Sequence, residues 1–71
     1  MNFQAVPANI LRYMRMLGIS MSEMAAKLNM SERSLYRRFQ NPGDFTLEEV
    51  FIVCDLCGLT PNELLKEEVD E

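Results

Sequence analysis

Arg33 and Arg37 stand four residues apart, with Glu32 ahead of them and Tyr36 between. On a helix this spacing gathers all four on one face. Two arginines so placed repel each other by about 0.2–0.5 kcal/mol, and an anionic partner would offset that. An arginine fork matches O6 and N7 of guanine in the major groove, and a carboxylate such as Glu32 accepts from cytosine N4. Tyr36 can meet a thymine methyl or a phosphate. The face therefore carries base-reading chemistry. A merely solvated helix accounts for part of the pattern. An acid at a helix start, and Arg37 and Arg38 at its end, are both favoured by the helix dipole.

Cys54 and Cys57 form the other chemical pattern, C-x-x-C. That spacing serves metal or redox sites, but structural zinc needs four ligands, and the chain has no histidine and no third cysteine. The pair sits in an apolar run at i, i+3, so the reading is two small core residues. There is no glycine-rich phosphate loop either. The sequence offers an enzyme nothing to work with, and no metal, cofactor or small-molecule substrate is expected.

The net charge of −4 argues against nucleic acid until it is divided along the chain. Residues 1–40 hold Arg12, Arg15, Lys27, Arg33, Arg37 and Arg38 against Glu23 and Glu32, a balance of +4. Residues 41–71 hold Lys66 against nine acids, a balance of −8. A polyanion responds to the local patch rather than to the total. The 71 residues allow one domain over 1–71 with a thin core. No apolar run approaches the roughly 18 residues of a membrane span, and Met1–Pro7 lacks the pattern of a secretory signal, so a cytoplasmic protein is expected.

These side chains need elements to hold them, and the apolar residues recur at three and four, which predicts five helices. The first runs from about Pro7 to Leu17, with Ile10, Leu11, Met14 and Leu17 as its stripe, and Gly18 ends it. The second, about Met21 to Leu28, starts behind Ser20, which forms a capping box with Glu23. Its inner face is Met24, Ala25 and Leu28. The third runs from Ser31 as cap to about Gln40, with Leu35 and Phe39 turned inward. The fourth opens with the box Thr46–Glu49 and ends at Gly58, with Leu47, Val50, Val53, Cys54 and Cys57 as core positions. The fifth opens with Thr60-Pro61 and carries Leu64 and Leu65. The acidic residues from about 67 to 71 read as a fraying tail.

Helices two and three are joined only by Asn29-Met30-Ser31. Asn tolerates a left-handed backbone, and so short a turn sets two helices at a steep angle. Ala25 permits their close approach, and Met30 and Leu35 fill the wedge. The stretch from Ser20 to Gln40 thus reads as a helix-turn-helix. Together with Leu17-Gly18-Ile19-Ser20, Leu47, and Gly58-Leu59-Thr60 through Leu64-Leu65, it resembles the Cro/phage-repressor (XRE-type) family over about 55 of the 71 residues. Residues Met30 to Phe39 are also similar in wording to the recognition helix of AraC-type activators.

The resemblance implies an all-α, five-helix, lambda-repressor-like DNA-binding domain. It implies a regulator of transcription, in a phage or prophage setting, on double-stranded DNA. Base contacts fall to Glu32, Arg33, Tyr36 and Arg37. Phosphate contacts fall to Ser20, Ser22, Lys27, Ser31, Ser34, Arg38 and Gln40. The chain departs from the family pattern at Met21, where a phosphate-holding Gln is common. It departs again at Met14 and Phe39, where an Arg–Glu pair is common, and in the loop Asn41–Phe45, which has no cation.

Phe51, Ile52 and Leu56 fall on the outer face of the fourth helix. A cluster of outward apolar residues marks association, and two recognition helices must meet half-sites one DNA turn apart. A homodimer through this face follows. The competing reading is a helix-turn-helix that acts through protein contacts, as an anti-repressor or adaptor, which the acidic second half favours.

Overall fold

A computed structural model of the protein describes residues 3–66, so the tail expected at 67–71 lies outside the described residues. A 3-10 turn, Phe3–Ala5, leads straight into helix α1, Val6–Leu17. Then follow α2 (Met21–Lys27), α3 (Glu32–Gln40), a 3-10 turn at Pro42–Asp44, α4 (Leu47–Cys57) and α5 (Pro61–Leu65). Among the described residues there is no strand. The five expected helices are all present, each within a residue or so of its expected bounds.

Two joints use one device. Gly18-Ile19-Ser20 links α1 to α2, and Gly58-Leu59-Thr60 links α4 to α5. Both glycines are left-handed, with φ of 71° and 72°. The space around each would accept a Cβ, so the glycine is there for its backbone. In each joint the next N–H closes on the helix behind it, Ile19 onto the Met14 carbonyl and Leu59 onto that of Cys54, both at 2.8 Å. Ile19 and Leu59 then pack on the core. Between α2 and α3 the left-handed residue is Asn29, φ 60°, and Met30 N–H returns to the Ala25 carbonyl at 3.0 Å.

Helix α1 is the hub, touching α3, α4 and α5. The core is Val6, Ile10 and Met14 from α1, Met24 and Ala25 from α2, then Leu28, Leu35 and Phe45. Val50, Val53, Cys54 and Cys57 from α4 and Leu64 from α5 complete it. The stripe expected on α1 needs correction. Val6, Ile10 and Met14 are buried, but Leu11 lies exposed at the edge of the stripe and Leu17 is 52% exposed. Leu17 follows Met14 by three residues, yet the chain turns away at Gly18, and the core does not reach it. Leu47, expected inside, is 70% exposed. It is the first residue of α4, and helical side chains lean toward the N-terminus, so it projects past the end of the core.

Asn9 is buried among these apolar residues at 1% exposure. Its Nδ2 donates to the Leu64 carbonyl at 2.6 Å and to the Lys66 carbonyl at 2.9 Å. The last carbonyls of a helix have no partner within it, so Asn9 closes α5 from across the core. Replacing Asn9 by Ala strands those acceptors and is expected to cost about 1–3 kcal/mol in urea unfolding. Asn9→Asp, which cannot donate, should cost at least as much. An Asn9→Ala protein as stable as the parent would contradict this account.

Candidate nucleic-acid interface

Helix α3 is built to present a polar face. Ser31 is extended at φ −77°, ψ 161°, and its Oγ accepts from Ser34 N–H at 3.1 Å. Ser31 Oγ also donates to Ser34 Oγ at 3.1 Å. Leu35 is fully buried and anchors the helix. Phe39, half-buried one turn on, meets the Phe45 ring at 6.3 Å, tilted by 45°. With Leu35 and Phe39 inward, Glu32, Arg33, Tyr36, Arg37 and Gln40 are all exposed. The four side chains expected to meet bases therefore share one solvent-facing surface.

A helix-turn-helix family model matches residues 10–64. The chain belongs to the XRE-type helix-turn-helix family. Searches of curated proteins and of solved structures return no significant match. The family is one of DNA-binding regulators rather than of catalysts, and α2 and α3 are its helix-turn-helix. The described residues contain no helix long and apolar enough to cross a membrane.

In this helix-turn-helix protein the residues expected on phosphate are differently placed. Ser20, Ser22, Lys27, Ser31 and Gln40 are exposed, and Ser34 is half-buried. Ser20 caps α2, its Oγ accepting from Glu23 N–H at 3.0 Å while Glu23 Oε1 takes Ser20 N–H at 2.8 Å. A hydroxyl that accepts still has its proton to donate. The Ser20 backbone bond holds the Glu23 carboxyl below its ordinary pKa.

Arg38 is the exception. It is half-buried, and its Nε and Nη2 meet Glu49 Oε1 and Oε2 at 3.2 and 3.1 Å. Glu49 Oε1 also accepts Thr46 N–H at 3.0 Å, and Glu49 N–H donates to Thr46 Oγ1 at 3.1 Å. One carboxylate therefore starts α4 and holds the end of α3. The capping box was legible from the three-residue spacing of Thr46 and Glu49. The contact to Arg38, eleven residues away, had no local signal. The positions where the family commonly has an ion pair are packed apolar groups, Met14 buried and Phe39 half-buried.

Around the expected association face, Phe51 is 52% exposed, while Ile52 and Leu56 are half-buried against the core. With Leu47, Glu48 and Asp55, Phe51 and Ile52 line a shallow groove. The displaced Leu47 thus enlarges this surface. Cys54 and Cys57 are buried free thiols, and burial pushes both above their usual pKa. That suits core residues.

Burial pushes the Glu49 pKa up, but the Arg38 and Thr46 hydrogen bonds outweigh it and hold the carboxyl below its ordinary 4.5. The folded state thus binds this proton less readily than the unfolded chain. The pair's contribution is complete above pH 4.5 and is lost as pH falls through the lowered folded value. Glu49→Gln should be less stable than the parent at neutral pH by on the order of 1 kcal/mol. Urea midpoints of the two should converge in strong acid. A gap that persists unchanged there would show that the carboxylate charge contributes nothing.

Proposed function

We propose that this protein is a sequence-specific transcriptional regulator of the Cro/repressor type that lays α3 in the major groove of DNA. The observation that carries this reading is the exposed face of Glu32, Arg33, Tyr36 and Arg37 on a helix whose opposite side is pinned by buried Leu35. In this reading Arg33 and Arg37 read guanine, Glu32 accepts from cytosine, and Tyr36 packs on a thymine methyl. Ser20, Ser22, Lys27, Ser31, Ser34 and Gln40 supply phosphate contacts, which set register without reading sequence.

It works as a cytoplasmic homodimer, joined through Phe51, Ile52 and Leu56 together with Leu47. The exposure of Leu47 and Phe51 supports that surface. The same groove, rimmed by Glu48 and Asp55, also suits a second reading, a helix-turn-helix that works through protein contacts.

A binding selection from random duplex DNA separates the two readings. Enrichment of a defined motif is expected. Arg33→Ala or Arg37→Ala should then lose about 1–3 kcal/mol of discrimination at one base pair each, with preferences elsewhere in the site retained. Absence of any retained duplex at low salt would overturn the DNA reading and leave the protein-contact one. Light scattering at micromolar concentration should give twice the 8.2 kDa chain mass, and Phe51→Glu should reduce it to the monomer. A parent protein that runs as a clean monomer would remove the dimer.

A further inference from the structure

Three arginines lie on α3, and two of them face solvent. The third, Arg38, keeps 28% of its side chain exposed and lays its fork on a Glu49 carboxylate that is 14% exposed. The geometry is two-pronged, nitrogen to oxygen at 3.2 and 3.1 Å. That is the same fork a guanidinium would offer to a phosphate. Glu49 is itself immobilised, because Oε1 holds Thr46 N–H and its own N–H is held by Thr46 Oγ1. It cannot swing away from Arg38 without opening the start of α4. The five residues that follow α3, Asn41-Pro42-Gly43-Asp44-Phe45, bring no replacement cation.

We propose that Glu49 masks Arg38, withholding a phosphate-binding cation from DNA and turning it into the positioning residue that fixes the end of α3 against the start of α4. The proposal rests on the DNA-binding reading above. A phosphate at the Nε–Nη2 edge would have to displace a carboxylate that is tied to a helix cap, and at the remaining edge it would meet a cation whose charge that carboxylate already offsets. The chain therefore gives up one sequence-independent contact. A contact that grips every sequence alike adds affinity without discrimination, and non-specific sites compete for the protein throughout a genome. Masking thus lowers the affinity that carries no information.

The test is the salt dependence of binding to a fluorescently labelled duplex of random sequence, read by anisotropy over roughly 50 to 200 mM salt. Each phosphate contact contributes about −0.9 to the slope of log K against log salt. Arg38→Met should leave the parent slope unchanged. Glu49→Gln should steepen it by about 0.9 and tighten binding at low salt several-fold. Glutamine serves a capping box as glutamate does, so this variant keeps the start of α4. Arg38→Met/Glu49→Gln should return to the parent slope. Glu63→Gln removes the same charge from the exposed capping box of α5, keeps the box, and should not alter the slope.

A shallower slope for Arg38→Met would overturn the proposal by placing Arg38 on phosphate already, and this arm decides even if Glu49→Gln does not fold. Parent binding with an unchanged Glu49→Gln slope would also overturn it and leave the DNA reading intact. If no variant, Glu49→Gln included, holds duplex at the lowest salt, the DNA reading and the masking fall together.

Discussion

From α2 onward every helix begins the same way, with an extended serine or threonine whose hydroxyl takes the N–H three residues on. Ser20, Ser31, Thr46 and Thr60 all sit at ψ between 158° and 163°. The rest of the fold depends on these four caps. The helices are five to eleven residues long after the first, below the length at which an isolated helix holds itself in water. Each needs its start fixed locally before packing can do the remainder. At α2, α4 and α5 the bond is returned by a glutamate, Glu23, Glu49 and Glu63. At α3 the corresponding residue is Ser34. The helix that carries the exposed face of Glu32, Arg33, Tyr36 and Arg37 therefore lacks a carboxylate at that position, and its only acid is Glu32.

Once the starts are fixed, the ends fix the angles. Left-handed backbone at Gly18, Asn29 and Gly58 turns the chain within three or four residues, so neighbouring helices have little slack. Their apolar sides meet over α1. Leu35 is fully buried because α3 enters at the angle Asn29 sets, and the exposed face of α3 is what remains once Leu35 and Phe39 are committed. Asn9 adds a polar tie to the shortest of the helices, the five-residue α5.

This division explains what could be read from the residues and what could not. Caps, left-handed joints and the boxes at Ser20 and Thr46 depend on three or four consecutive residues and were legible as spacings. The outward face of α3 was legible too, as the complement of Leu35 and Phe39. Leu17 and Leu47 were misplaced because periodicity shows which side of a helix is apolar but not how far the core extends along it, and Leu11 because it does not show how wide the buried stripe is. Asn9 was invisible, since its acceptors lie 55 and 57 residues away. Arg38 looked like one more cation on a basic helix because its partner belongs to the acidic half of the chain.

That last pairing changes the meaning of the charge division. The first 40 residues carry +4 and the remainder −8, which looks like a DNA-binding half burdened by an acidic one. The fold uses the acidic half at a defined point. Glu49 crosses the boundary and takes up Arg38, so the exposed face of α3 is left with Arg33 and Arg37 against Glu32. The balance of that face is only +1. So small a balance on that face adds little bulk attraction for a polyanion. Under the DNA-binding reading proposed above, what that face offers a duplex is chiefly the fit of individual side chains to base edges, which is the part of binding that distinguishes one sequence from another.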